Sequence, residues 1–233
     1  MKKRFYEKAA AAQVDGGYAV QLDGRNVKTP NGTTLVMPTL ALCEAVAAEW
    51  DAQGDEIDPK SMDLMPLAGT ALDRVPDVRE GLIEGLKKYG ETDLLCHLAD
   101  DTQEALVKRQ REAWQPVLDW AADELGARLV PTQGIIAVDQ DPKALETLKS
   151  VLESFDNWTL TAMGELVAIT GSLILGLALV KGHLSVEEAL HIARVDEDHQ
   201  IEQWGDDFEA IARRKNITHD VTSAYRFFEL SNA

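Results

Sequence analysis

The sequence predicts an α+β fold, with a small N-terminal antiparallel β domain (residues 1–38) followed by a larger, mainly α-helical domain (residues 39–233). Apolar and polar residues alternate between Tyr18 and Met37, which is typical of strands with one buried face. Turn-forming pairs separate these short runs: Gly16-Gly17, Asp23-Gly24 and Asn31-Gly32. After Pro38 the apolar residues recur every three or four positions, which predicts helices.

The helical part is predicted to begin at Thr39, a typical N-cap residue. A long helical pattern over residues 101–126 contains Pro116, which predicts a kink or two stacked helices. Residues 159–180 are predicted to form one core helix, because the longest uncharged stretch, residues 166–180, is shorter than the roughly 20 residues of a membrane span. Ser185 and Glu188 are spaced as a capping box.

Composition narrows the possible functions. The chain has 233 residues and a formal net charge of −17, which argues against nucleic-acid binding and against adsorption to anionic membranes. The same charge suits a protein that meets a basic or neutral protein surface. The two cysteines form no CxxC motif, so we expect reduced, cytosol-like surroundings and no cysteine-based zinc site. The N-terminus has no apolar core of a secretory signal.

Known catalytic motifs are absent from the sequence, including the P-loop, GxGxxG, GxSxG and HExxH patterns. Two carboxylate–histidine pairs, Glu188 with His191 and Asp196 with His199, have the spacing of di-iron ligands. Both pairs lie on one predicted helix, more than two turns apart, and cannot share a metal centre. We therefore predict no catalytic residue, no metal and no cofactor.

Glu197 interrupts an apolar series on the predicted helix that starts at Ser185. The series has helical spacing and predicts one buried face: Val186, Leu190, Ala193, Ile201, Trp204, Phe208 and Ile211. A buried unpaired carboxylate is costly, so Glu197 either pairs with a cation in the fold or serves a partner. Arg194, one turn earlier on the predicted helix, is the cation that the sequence indicates as a partner for Glu197. A third alternative is an enzyme of unrecognised type with Glu197 as a desolvated general acid or base.

The sequence offers seven candidate partner-binding residues. They comprise two carboxylates on the predicted helix, a tryptophan followed by two acidic residues, and two methionines of an adaptable turn: Asp196, Glu197, Trp204, Asp206, Asp207, Met62 and Met65. Each has a structural alternative. The acidic residues can be solvated, the methionines can pack a loop, and Trp204, like Trp50 and Trp114, is favoured as a core anchor.

Six segments in order carry a resemblance to a known family. They are FYEKAAAAQVDGGYAVQLDGRNVKTPNGTTLVMP, EWDAQ at Glu49–Gln53, Ile57-Asp58-Pro59 with its methionine-rich turn, TDLLC at Thr92–Cys96, QREAWQPVLDW at Gln110–Trp120, and DEDHQIEQWG at Asp196–Gly205. With them the chain resembles the ATP synthase assembly chaperone family dedicated to the α subunit. One departure is Ala68, where the family usually has threonine.

The resemblance implies a β domain, a helical domain and no catalysis. It also implies that the partner is the unassembled α subunit of ATP synthase, with no nucleic acid, membrane insertion or small-molecule substrate. The mitochondrial members need an arginine-rich presequence, and the chain begins almost at the first motif. The expectation is therefore a bacterial relative in the cytoplasm, or else a mature chain, with the eukaryotic relatives in the mitochondrial matrix.

Overall fold

The computed structural model describes residues 2–134 and 138–233. Within them lie eight short strands: β1 Lys2–Lys3, β2 Ala9–Val14, β3 Gly17–Leu22, β4 Arg25–Asn26, β5 Val36–Met37, β6 Glu56–Ile57, β7 His97–Leu98 and β8 Thr132–Gln133. The same residues form ten α-helices: α1 Leu40–Asp51, α2 Leu64–Asp73, α3 Val75–Glu91, α4 Glu104–Glu124, α5 Pro142–Glu153, α6 Asn157–Thr170, α7 Leu173–Val180, α8 Val186–Ala193, α9 Val195–Trp204 and α10 Phe208–Ser231. The α+β prediction is confirmed.

An antiparallel sheet of four strands occupies the N-terminal region. Strand β3 pairs with β2 along its whole length, and with both β4 and β5. The turn before β3 requires glycine, because Gly17 has φ +152 and an added Cβ would lie 2.3 Å from the carbonyl oxygen of Met37. Asp23 and Gly24 both have positive φ, as a tight hairpin turn demands. The turn signals read from the sequence therefore lie where the chain reverses.

Helix α1 packs on the inner face of this sheet. The Oγ1 atom of Thr39 accepts a hydrogen bond from the backbone N–H of Leu42 at 3.1 Å, which confirms the predicted N-cap. One face of the helix is buried, and its residues join a core with Val20, Leu35 and Met37. A sheet with one apolar face needs such a covering layer.

The chain divides into two compact units. The first runs from the N-terminus to Arg79 and also includes Asp156–Ala162 and Ser223–Ala233. The second comprises Glu80–Phe155 and Met163–Thr222. These bounds differ from the predicted ones, although the secondary structure does change from strand to helix just after Pro38. The division into a small β domain of residues 1–38 and a helical domain of residues 39–233 stays a prediction.

The predicted core helix over residues 159–180 is wrong in its continuity, because two helices lie there. Gly171 adopts φ +71 after α6, and Ser172 caps α7 by accepting from the backbone N–H of Leu175. Every residue from Leu173 to Leu179 is buried, as expected of a core helix. In the described part of the chain, none of the helices is long and apolar enough to span a bilayer.

Three further helical predictions have different outcomes. Pro116 lies inside α4, a single helix, so the alternative of two stacked helices is wrong. Ser185 and Glu188 form the predicted capping box at the start of α8. The one continuous helix expected after Ser185 is wrong, because the helix is interrupted at Arg194 and again between Trp204 and Phe208.

Candidate partner-binding surface

Three bulky apolar side chains are exposed where α9 ends and α10 begins. Trp204 is 76% exposed, Phe208 85% and Ile211 52%. We call these residues, together with Asp206, Asp207 and Glu209, the α9–α10 surface. The prediction that Trp204, Phe208 and Ile211 continue a buried helix face is wrong, and so is the favoured core position of Trp204. Two helix breaks explain this: the interruption at Arg194 separates Trp204 from the buried face of α8, and the break after Trp204 separates Phe208 and Ile211 from α9.

The break after Trp204 has a clear local cause. Gly205 has φ +83, a conformation that residues with a Cβ rarely adopt, so α9 stops there. Asp207 then begins α10, because its Oδ1 atom accepts from the backbone N–H of Ala210 at 2.8 Å. Phe208 and Ile211 are three residues apart on α10 and share one face of that helix.

The acidic residues of this surface are solvated and largely unneutralised. Asp206, Asp207 and Glu209 are all exposed. Arg109 pairs with Glu202 at 2.6 Å, and two arginines of α10 pair with carboxylates of α9. Within residues 2–134 and 138–233, no lysine or arginine forms an ion pair with the three carboxylates. The surface therefore combines apolar side chains with negative charge.

Glu197 is paired inside the second unit. Its Oε1 atom accepts from Nη2 of Arg213 at 2.7 Å, with 20% of the Glu197 side chain and 68% of the Arg213 side chain exposed. The next carboxylate, Asp198, accepts from Arg214 at 2.5 Å. These two ion pairs join α9 to α10. The sequence could not indicate Arg213, because it lies 16 residues later on another helix.

Arg194 is not the partner of Glu197. Its Nη2 atom donates to the backbone oxygen of Arg214 at 2.9 Å and to Oγ1 of Thr218 at 2.7 Å. Burial, reinforced by the neighbouring charge of Arg214, lowers the pKa of the Arg194 guanidinium. Arg194 thus fastens the start of α9 to α10 through polar, uncharged acceptors.

Asp196 faces a buried glutamine. Its Oδ1 atom accepts from Nε2 of Gln110 at 2.7 Å, and the Oε1 atom of Gln110 accepts from the backbone N–H of Ala99 at 2.7 Å. Gln110 is almost completely buried. This chain of hydrogen bonds satisfies a buried amide group and fixes α9 against α4.

A cavity of about 520 Å³ with both charged and apolar lining residues lies beside α9. Its charged lining residues are Arg109, Glu112, His191, Asp198 and Glu202, without Glu197. The hydrogen bond from Arg109 lowers the pKa of the Glu202 carboxyl. In the parts of the chain that the structure describes, no group of histidine, cysteine and acidic residues could hold a metal ion. Glu197 does not line this cavity, and its carboxylate accepts from Arg213 instead.

The methionine-rich turn forms an apolar groove of about 550 Å³ in the first unit. Met62 is only 4% exposed, so it packs into the fold, whereas Met65 is partly exposed. Both line the groove, together with residues of the surrounding loop and helices: Pro30, Asn31, Pro59, Pro66, Gly69, Thr70, Asp73, Arg74, Asp77 and Val78.

Glu49 holds this turn in place. Its two carboxylate oxygens accept from the backbone N–H groups of Leu64 at 2.7 Å and Met65 at 2.9 Å. Burial raises the pKa of the Glu49 carboxyl, and these hydrogen bonds oppose the shift. Gln53 completes the support, because its Oε1 atom accepts from the backbone N–H of Asp58 at 2.7 Å. The EWDAQ segment thus carries a structural role that sequence reasoning missed.

Comparisons with known proteins agree on the family. The family model of the ATP12 chaperone protein matches residues 3–122, more than half of the chain. The mitochondrial atp12 protein of Schizosaccharomyces pombe is 27% identical over an alignment of 214 residues, which covers 87% of this chain and 74% of that protein.

Solved structures extend the similarity to the C-terminal helices. The crystal structure of Atp12 from Paracoccus denitrificans matches with a TM-score of 0.94 and 41% identity, over 99% of this chain and 98% of that one. The structure of an Agrobacterium tumefaciens protein proposed to be a chaperone matches with a TM-score of 0.93 and 38% identity, over 97% and 85%. The chain therefore belongs to the ATP12 family of ATP synthase assembly chaperones, as its sequence motifs predicted.

Proposed function

We propose that this chaperone binds the unassembled α subunit of ATP synthase and protects it without hydrolysing ATP. Membership of the family supports a task in ATP synthase assembly. The observation that carries the proposal is the exposure of Trp204, Phe208 and Ile211 on the α9–α10 surface. Side chains of this size are usually buried unless a partner covers them.

The physical requirement is simple. A subunit that belongs to a ring has large apolar interfaces before assembly, and such interfaces aggregate unless they are covered. A chaperone that binds them reversibly must expose apolar side chains of its own while remaining folded. The α9–α10 surface meets this requirement, since ion pairs and hydrogen bonds secure α9 and α10 without using the exposed side chains.

The proposed partner-binding residues have different roles. Exposure supports Trp204, Asp206 and Asp207 as direct contacts. The ion pair of Glu197 and the hydrogen bond of Asp196 support an indirect role for these two residues, which is to position α9. Met62 and Met65 are proposed to offer a second, adaptable apolar contact in the groove of the first unit.

The sequence motifs also support binding without catalysis. No P-loop is present, and Glu197, the one candidate for a general acid, is bound by Arg213. A bacterial cytoplasm is the proposed location of this chain.

Light scattering of the isolated α subunit tests the function. We expect an equimolar or larger amount of the chaperone to suppress the aggregation of α without added nucleotide. The β subunit, assayed in parallel, is the matched control and should not be protected. Unchanged aggregation of α at excess chaperone would contradict the proposed binding of the α subunit. Phosphate release from ATP by the chaperone alone would contradict the proposal that it does not hydrolyse ATP.

A further inference from the structure

We propose that the α9–α10 surface recognises a client segment in which bulky apolar side chains are flanked by lysine or arginine. This inference rests on the proposed function, because it names the part of the client that the surface takes. It depends on the charge of the surface as much as on its apolar side chains.

The negative charge is concentrated around the exposed apolar residues. Residues 202–211 carry four carboxylates and no lysine or arginine. Glu202 is neutralised by Arg109, whereas Asp206 and Glu209 are exposed and form no ion pair within the described residues. Glu197 and Asp198 hold Arg213 and Arg214, the nearest cations along the chain, in ion pairs. A client that covers Trp204 and Phe208 therefore also meets unneutralised carboxylates.

Charge complementarity indicates which kind of segment binds the α9–α10 surface. Like charges brought together across an interface are unfavourable, and opposite charges steer association. A second copy of this chain would bring the same carboxylates to the interface, which disfavours self-association through this surface. An uncharged apolar segment would cover Phe208 but leave Asp206 and Glu209 near a partially desolvated interface without counter-charges. A basic-flanked apolar segment satisfies both parts of the surface.

Two synthetic peptides of 15 residues, used with the full-length chain, probe this preference. Both carry leucine and phenylalanine at i, i+3, i+4 and i+7, and one is flanked by lysines while the other is flanked by glutamates. We expect the lysine-flanked peptide to bind at least tenfold more tightly in fluorescence anisotropy at low salt. The preference should shrink as salt is raised, because exposed charges are screened. Equal affinities for the two peptides would overturn the inference.

Charge reversal at the surface is the decisive variant. The double variant Asp206→Lys/Glu209→Lys avoids Asp207, which caps α10. It should bind the glutamate-flanked peptide more tightly than the lysine-flanked one. The matched control Asp123→Lys/Glu124→Lys makes the same change of charge at exposed positions near the end of α4 and should keep the original preference. An equal effect of both double variants would show an unspecific charge effect and would overturn the inference.

Two more measurements separate this inference from the proposed function. Trp204→Ala/Phe208→Ala should lose at least tenfold in affinity for the lysine-flanked peptide with an unchanged melting temperature; unchanged affinity would overturn the inference. Protection of the α subunit is then measured with the same variants. If the unaltered chain protects α but Asp206→Lys/Glu209→Lys protects it equally well, the inference fails and the proposed function stands. If the unaltered chain does not protect α, the proposed function fails.

Discussion

At the scale of single residues, the position of a charge partner determines what a carboxylate does. Glu197 forms an ion pair with Arg213, a largely exposed residue. Glu49 is partly buried and accepts hydrogen bonds from two backbone N–H groups. The first arrangement is a surface ion pair between helices, and the second fixes a turn. The two glutamates should therefore respond differently to the same substitution.

Glu197→Gln should shift the melting temperature by no more than about 3 °C. Ion pairs with an exposed partner contribute roughly 0–1 kcal/mol, and a glutamine oxygen can still accept from Arg213. Glu49→Gln should lower the melting temperature further, because one of its two backbone N–H partners loses its acceptor. Thermal unfolding followed by circular dichroism compares them. A drop for Glu197→Gln as large as that for Glu49→Gln would contradict this assignment.

Trp204 and Trp114 allow a second comparison, between an exposed and a buried tryptophan. Trp114 is buried and its Nε1–H donates to the backbone oxygen of Ile192 at 2.9 Å, whereas Trp204 is exposed. Trp114→Ala should cost about 3–5 kcal/mol of unfolding free energy. Trp204→Ala should cost less than about 0.5 kcal/mol and still weaken client protection. Urea unfolding measures both values, and a strongly destabilised Trp204→Ala would argue for a structural role instead.

At the scale of elements, the break between α6 and α7 depends on one glycine. Gly171 has φ +71, where an alanine is strained, so Gly171→Ala should cost roughly 1 kcal/mol. Gly164 lies inside α6, and an added Cβ would make an ordinary contact 3.7 Å from Leu82. Gly164→Ala should therefore leave stability unchanged or raise it by up to about 1 kcal/mol. Urea unfolding that ranked the two variants in the opposite order would disprove this account.

A buried carboxylate from the loop before β7 lies at the start of α7. Asp93 accepts from the backbone N–H groups of Leu95 and Ile174, both at 3.1 Å. Burial raises the pKa of its carboxyl to about 6, although these hydrogen bonds and one from Ser172 oppose the shift. The TDLLC segment thus supplies the residue that joins the loop before β7 to the N-terminus of α7.

Asp93 makes stability depend on pH in a defined direction. Between its ordinary pKa of 3.8 and the folded-state pKa of about 6, the folded state binds more protons at this group than the unfolded state. Its contribution therefore falls as pH rises through this window, by up to about 3 kcal/mol overall. From pH 7 to pH 5 the unaltered chain should gain stability relative to Asp93→Asn. Urea unfolding at both pH values measures this difference, and an equal change in both proteins would contradict it.

At the scale of the whole molecule, the predicted division at residue 38 is open to test. Val20, Leu35 and Met37 are buried in a core that also contains residues of α1 and α2. A purified fragment of residues 1–38 should show the circular dichroism of strands and unfold cooperatively if it is a domain of its own. A disordered fragment would place the boundary instead at the limits of the first compact unit.

The fold class, the N-terminal sheet, several helix starts and the family could all be predicted from the amino-acid sequence alone. These features depend on local chemistry: alternation of apolar residues, glycine turns, Thr39 and Ser185 as caps, and six ordered motifs. Each is written within a few consecutive residues, so no knowledge of the tertiary structure is needed to recognise it.

The exposed surface and the pairing of charges could not be predicted in this way, because they depend on how the helices pack. The apolar spacing from Val186 to Ile211 predicts one buried face, but the helix is interrupted at Arg194 and again at Gly205, and Trp204 and Phe208 lie outside the core. The partner of Glu197 comes from α10 rather than from the preceding turn. Helical periodicity indicates which residues share a face only as long as the helix continues. Contacts between separate helices depend on how these helices pack.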